Sequence, residues 1–249
     1  MADAPASELD GASAEAIALE LALPRVHLYR EVGSTMDVAA TLGDQSAPAG
    51  TLIVADAQRT GRGRAGRRWA SAPGTGLWLT LLERPNDATA LAVLPLRIGA
   101  RMAKVLERWT AAPIQLKWPN DLFVEGRKLA GVLIEARWRE QRLDWVAIGI
   151  GINLTRPEDV PGAAHLTSDA TRRAVLAELI PALRAAAVAR GPLTAMELDA
   201  YAARDYARGK RCRAPAPGVV LGIAEGGELV VETTAGRERY LTGTLELEP

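Results

Sequence analysis

Gly61-Arg62-Gly63-Arg64-Ala65-Gly66-Arg67-Arg68-Trp69 is the stretch on which the fold turns, because of what stands on either side of it. Thr51 to Ala57 before it is β-branched and apolar, and Gly76 to Leu82 after it is similar, so both flanks read as strands. The stretch contains G-x-G-x-x-G after a strand, the opening of a dinucleotide fold. That fold requires a helix to begin there, with its N-terminus on a pyrophosphate. Here Pro73-Gly74 breaks the chain and another strand follows, so a loop held between two strands is expected instead. With Arg59, the loop carries five arginines among three glycines. Guanidinium forks pair bidentately with phosphate oxygens, and glycines let backbone N–H groups come close, a combination suited to a nucleotide's phosphates.

Outward from the loop, Arg25 to Glu31 reads as a strand, and Gly33-Ser34-Thr35 opens a helix from about Met36 to Leu42. Thr89 to Thr110 carries Leu91, Leu94, Ile98, Met102, Val105 and Leu106 at helical spacing, a stripe facing a core. Ile114 to Trp118, Leu122 to Val124, Leu129 to Trp138 and Leu143 to Ile150 read as strands, the last two joined by a charged turn. Residues 170–190 and 194–208 return to helical spacing. After Gly209, short apolar strands alternate with Gly-rich turns, the pattern of a small β-barrel. The expected organisation is a leader over 1–24, partly disordered or one helix, a catalytic domain over 25–208 and a barrel over 209–249. The fold class is α+β, a mainly antiparallel mixed sheet flanked by helices.

A chain of 249 residues can bury a large core, and its 30 basic and 30 acidic residues cancel. The arginine loop is thus a local concentration of charge and not one patch of a generally basic nucleic-acid binder. Cys212 is the only cysteine, which excludes an internal disulfide framework and suits a reducing, cytoplasmic setting. No signal-like start and no run of eighteen apolar residues is present, so neither export nor membrane insertion is expected. The leader is shorter than the roughly sixty residues a DNA-reading domain takes, so no DNA partner is expected. Lysine occurs only at 104, 117, 128 and 210. Where a chain favours arginine so strongly, a lysine suggests a compact ammonium was needed.

Two of those lysines belong to a second cluster, Lys117-Trp118-Pro119-Asn120-Asp121 followed by Lys128-Leu129-Ala130-Gly131. It combines a cation, an aromatic plane, a turn and two oxygen-bearing side chains within five residues. Taken alone, Pro119-Asn120-Asp121 is an ordinary turn and Lys128 an exposed residue at a strand start. Gly131 leaves room where a side chain would otherwise stand. The arginine loop likewise has plainer readings, an RGG-like grip on a polynucleotide or a solvated basic turn. Only one aromatic accompanies the arginines, and alternate glycines cost ordering entropy that a plain turn need not incur.

Together, the segments at 61–69, 117–121 and 128–131 resemble the biotin protein ligase family, whose marks are G-R-G-R-x-G-R-x-W, K-W-P-N-D and K-L-A-G in that order. Gly33-Ser34-Thr35, Gln58 and Gly149-Ile150-Gly151-Ile152-Asn153 are similar to further family segments, and the resemblance extends over about residues 25–249. It implies the sheet shared with class II aminoacyl-tRNA synthetases and an SH3-like C-terminal barrel. It implies an ATP-dependent ligase that forms biotinyl-5′-adenylate with Mg²⁺, then passes biotin to a lysine of a biotin carboxyl carrier protein domain, as in acetyl-CoA carboxylase. By resemblance Ser34, Thr35, Met36, Gln58, Gly61, Arg62, Gly63, Arg64, Lys128 and Gly131 bind biotin. Arg64, Arg67, Trp69, Lys117, Asn120, Lys128 and Asn153 bind ATP, with Asn120 and Asp121 near the metal. Lys128, Arg62 and Arg64 carry the catalytic role, which is electrostatic, because no enzyme-bound acyl group is required.

Met36 departs from the pattern, standing where the family usually has Asn. The adenylate is a water-sensitive anhydride that needs a cover, and the glycine-rich loop suits that duty. The resemblance is compatible with a monomer or a homodimer. Two alternatives remain at this point: a lipoate or octanoyl ligase of the same fold, and a non-enzymatic nucleic-acid-binding module, which predicts steep salt dependence and no pyrophosphate release.

Overall fold

The computed structural model describes residues 3–85, 87–157, 160 and 162–248. In chain order, β1 (Ala4–Pro5), the hairpin of β2 (Glu8–Leu9) and β3 (Ala12–Ser13), and α1 (Ala14–Glu20) lead into β4 (Arg25–Val32), α2 (Thr35–Asp44), β5 (Thr51–Gln58) and β6 (Gly76–Glu83). Then come α3 (Leu94–Leu106), β7 (Ile114–Lys117), β8 (Asp121–Val124), β9 (Arg127–Arg139), β10 (Arg142–Asn153), α4 (Arg172–Ala187) and α5 (Ala195–Ala202). Eight strands form one sheet in the order β1-β4-β5-β6-β10-β9-β8-β7, with β4 and β5 parallel and the other neighbours antiparallel. This is the α+β mixed sheet flanked by helices that the sequence pattern anticipates.

Period-two alternation assigns the two faces of that sheet. Leu52 and Val54 of β5, Leu79 and Leu81 of β6, and Ile148 and Ile150 of β10 point into the main core with Ile98, Met102 and Leu106 of α3 and Leu179 and Leu183 of α4. The intervening Ile53, Leu82 and Ala147 face the other way and bury Met36 and Ala39 of α2. On this second face α2 covers one end, while Thr80, Gly149, Gly151 and Gly131 lie side by side in register beyond it, Gly149 opposite Thr80 and Gly151 opposite Gly131. Small side chains there leave a hollow.

The helix expected from Thr89 begins only at Leu94, since Pro95 is tolerated in a first turn but not further inside. The stretch before residue 25 holds α1 and is tied to the large sheet. β1 pairs with β4, Ala6 N donates to Leu28 O at 2.9 Å, and Leu9, Ala12 and Ile17 are buried in the main core.

After Gly209, β11 (Arg211–Ala214), β12 (Gly218–Ile223), β13 (Leu229–Thr233), β14 (Gly236–Tyr240) and β15 (Glu246–Leu247) form an antiparallel sheet in the order β14-β13-β12-β11-β15. Its edge strands do not pair among the described residues, so the sheet is open where a closed barrel was expected; β15, of two residues, offers few rungs for closure. Trp118 ties this sheet to the larger one, its buried indole Nε1 donating to Gly227 O at 3.0 Å. The aromatic of the second motif is therefore a packing anchor. No helix is long and apolar enough to cross a membrane among the described residues.

Candidate functional site

The hollow on the second face is roofed by the arginine loop, which folds on itself as a narrow hairpin. Arg62 bridges Arg68, Gly63 N donates to Arg67 O at 2.7 Å and Trp69 N to Gly61 O at 2.8 Å. A Cβ on Gly61 would stand 2.5 Å from the Trp69 carbonyl oxygen, so only glycine lets the two arms close here. At the tip Ala65 and Gly66 take positive φ, 53° and 71°. The cleft beneath the hairpin is partly open to solvent and has a volume of about 130 Å³.

One end of the cleft is a neutral hydrogen-bond network. Gln58 Oε1 accepts from Thr35 N at 2.9 Å, Thr35 Oγ1 at 3.1 Å and Ser34 Oγ at 3.5 Å, while its Nε2 donates to Ser71 Oγ at 2.9 Å. Thr80 Oγ1 donates to Thr35 Oγ1 at 2.9 Å. Ser34 caps α2 by accepting from Met36 N, which puts the Ser-Thr pair at a helix N-terminus on the cleft floor. Met36 is 3% exposed and shared between the cleft wall and the apolar cluster under α2. It lies so close over the sheet that a Cβ on Gly149 would meet its sulfur at 2.6 Å.

The other end is cationic. Lys128 Nζ pairs with Asp121 Oδ1 at 2.6 Å and stands 4.9 Å from the centre of the Trp69 ring. Burial penalises the charge of Arg64, which Asp121 offsets and Arg67 opposes further. Burial likewise lowers the Lys117 pKa, with Asp121 raising it and Lys128 and Arg67 lowering it again. Four cations thus gather around Asp121, with the Glu246 carboxylate acting on Lys117 as well, an arrangement that a bound anion would relieve. Arg62 is held separately, 2.8 Å from Glu135 Oε2 and 3.3 Å from Asp37 Oδ1.

Of the residues singled out from sequence, Ser34, Thr35, Met36, Gln58, Arg62, Gly63, Arg64, Arg67, Trp69, Asn120, Asp121, Lys128 and Gly131 line this one cleft. Gly61 sits in the hairpin behind it, and Lys117 stands beside it, with Nζ 5.4 Å from the Phe123 ring centre. Asn153 is outside the wall: its Nδ2 donates to Ala164 O at 3.0 Å and Lys128 O at 3.4 Å, bracing the strand that carries Lys128. Asn120 is clipped to β9, Nδ2 donating to Val132 O at 2.6 Å. Gly149 and Gly151 also line the cleft, although the motifs alone do not mark them as site residues. A Cβ on Gly151 would come within 2.5 Å of the Trp69 indole and one on Gly131 within 2.9 Å, so that ring lies flat across both strands. The signal was Gly149-Ile150-Gly151-Ile152, where glycines alternate with core residues.

Asn120 and Asp121 supply oxygens fit for a hard cation, but among the described residues no cluster of three His, Cys, Asp or Glu side chains could hold one unaided. That donor set suits Mg²⁺ bound mainly through phosphates and water.

Residues 29–153 match the model of the biotin/lipoate A/B protein ligase family. The biotin–[acetyl-CoA-carboxylase] ligase of Paracoccus denitrificans is 33% identical over 210 residues, covering 75% of this chain and 85% of that one. The bifunctional ligase/repressor BirA of Bacillus spizizenii is 42% identical over 135 residues, 53% of this chain, and the match spans only 41% of the relative's length. Among solved structures, a biotin protein ligase from Aquifex aeolicus in complex with biotin and ATP superposes with a TM-score of 0.74 at 28% identity, covering 91% of this chain and 99% of that one. With its motifs gathered in one cleft and these relatives beside it, the chain belongs to the biotin protein ligases of the biotin/lipoate A/B protein ligase family.

Proposed function

We propose that this chain is an ATP-dependent biotin protein ligase, forming biotinyl-5′-AMP and transferring biotin to a lysine of a biotin carboxyl carrier protein domain. The observation that carries the proposal is the meeting of a neutral donor–acceptor network at Ser34, Thr35 and Gln58 with mutually repelling cations around Asp121. The first suits the ureido ring of biotin; the second suits the biotin carboxylate and the phosphates of ATP.

A carboxylate oxygen of biotin attacks the α-phosphorus, and the bond to the bridging oxygen breaks as pyrophosphate leaves with the electron pair. Both reactants are anions, so the chief task is to cancel their repulsion and hold them in line. In this reading Lys128 leaves Asp121 to bridge carboxylate and α-phosphate oxygens, Arg62 and Arg64 neutralise the developing charge, and Arg67 and Lys117 hold the remaining phosphates. Trp69 offers an aromatic face to adenine, and Asn153 serves the nucleotide by bracing Lys128. Asn120 and Asp121 would hold Mg²⁺, whose chemistry when bound would be further charge neutralisation. The carrier's lysine amine then attacks the acyl carbon, AMP leaves, and the amine loses a proton. The hairpin over the cleft keeps water from the anhydride.

We read β11–β15 as an SH3-like module beginning near Gly209, a reading supported by five short antiparallel strands. A cytoplasmic setting accords with a single cysteine, which is buried. The test is ATP-dependent transfer of labelled biotin to a purified carrier domain, with lipoate in parallel. Biotin-dependent pyrophosphate release and labelling are expected; turnover of lipoate without biotin would refute the assignment.

A further inference from the structure

We propose that Asp3 is a positioning residue for this site, a strap from the N-terminal segment that fixes two ligand-binding loops relative to one another. Its Oδ1 accepts from Gly33 N at 2.9 Å and pairs with the Arg59 guanidinium at 2.9 Å. Gly33 opens the turn that presents Ser34 and Thr35, and Arg59 opens the arginine loop. The two are already joined on the other side, where Thr60 N and Oγ1 donate to Gly33 O at 2.9 and 3.0 Å and Arg59 N donates to Val32 O at 2.9 Å. Asp3 thus grips the N–H of a peptide whose carbonyl the loop itself holds.

The strap is anchored at both ends. Behind Asp3, β1 pairs with β4, Ala4 opposite Glu31 and Pro5 opposite Tyr29. Ahead of it, Arg59 also reaches Glu31 Oε1 at 2.7 Å, and Arg68 Nη2 donates to Arg59 O at 2.8 Å, carrying the constraint into the returning arm of the hairpin. A carboxylate beside the first N–H groups leading into α2 is also favoured by the helix dipole. Asp3 lies outside residues 29–153, which hold the family match, and does not line the cleft, so its effect passes through Gly33 and Arg59.

The inference rests on the ligase reading for its substrate side, and two measurements on the full chain separate them. In ligand-free protein, trypsin cleavage between Arg59 and Arg68 should run several-fold faster in Asp3→Ala, with Asp3→Asn intermediate because its amide oxygen still serves Gly33. In turnover, Asp3→Ala should raise KM for biotin about three- to tenfold with kcat within about twofold, the thermal midpoint staying put. Unchanged cleavage and unchanged KM in Asp3→Ala would overturn the strap. So would equal losses in both variants accompanied by a lowered midpoint, the sign of a general packing role. Wild-type protein that releases no pyrophosphate with biotin would sink the ligase reading while leaving the cleavage result to decide the strap.

Discussion

Replacing Gly151 by alanine tests whether the sheet glycines exist to seat Trp69. The added Cβ would lie 2.5 Å from Trp69 Cε2 where ordinary contact begins at 3.4 Å, so the indole must retreat by about 0.9 Å. At Gly131 the corresponding approach is 2.9 Å to Cζ3, a push of about 0.5 Å. Trp69 sits on a loop and yields more readily than β10, which pairs on both sides. The cost should therefore fall on ligand geometry and not on folding. A displacement near 1 Å in a positioning group can reduce turnover by about 100-fold, so Gly151→Ala should raise KM for ATP or lower kcat/KM by about 10- to 100-fold, Gly131→Ala by less. Pyrophosphate release against ATP concentration reads the effect, and thermal unfolding should shift by at most about 2 °C. In a Trp69→Ala background the further loss from Gly151→Ala should vanish, since the clash is gone. Equal damage at both glycines, or additive loss in the double variant, would refute the reasoning.

Lys128→Ala should lower kcat/KM for adenylate formation by about 100- to 1,000-fold, and Lys128→Arg should recover little, because a planar fork replaces a compact ammonium; single-turnover pyrophosphate release checks both. Met36→Asn should destabilise the fold by about 2–4 kcal/mol in urea unfolding, since that side chain is buried against Ile53, Leu82 and Trp145. The Glu197 carboxyl is held at about 2, against its usual 4.5, chiefly by its hydrogen bonds to buried Arg97. A depressed carboxyl pKa stabilises the fold above the unfolded value, so this contribution is complete above pH 4.5 and lost as pH falls towards 2. Unfolding midpoints measured across that window should decline, and Glu197→Gln should flatten the decline.

The strands of the large sheet were legible because a half-buried strand must alternate, and Leu52-Ile53-Val54 divides between two cores as alternation requires. The helix start at Leu94 is hidden in the sequence because an apolar stripe continues back to Leu91, whereas Pro95 decides the boundary. Trp118 reads as a stacking plane within its motif, yet its partner is Gly227, 109 residues away, and no local pattern encodes so distant a hydrogen bond.

The same limit governs the charges. Arginines 62, 64 and 67 are visible as a polyanion site, but the carboxylates that hold the cations come from three other elements: Asp37 on α2, Asp121 on β8 and Glu135 on β9. Asp37 and Glu135 lie where a sequence reading expects solvated acids, and Asp121 where the motif suggests a metal ligand and not a partner for Lys128. Their presence changes what ligand binding must accomplish, because an incoming phosphate or carboxylate exchanges partners with an existing ion pair and does not meet bare cations. The attraction is smaller than the count of arginines suggests, and the gain lies in cations already aimed at the cleft before a ligand arrives.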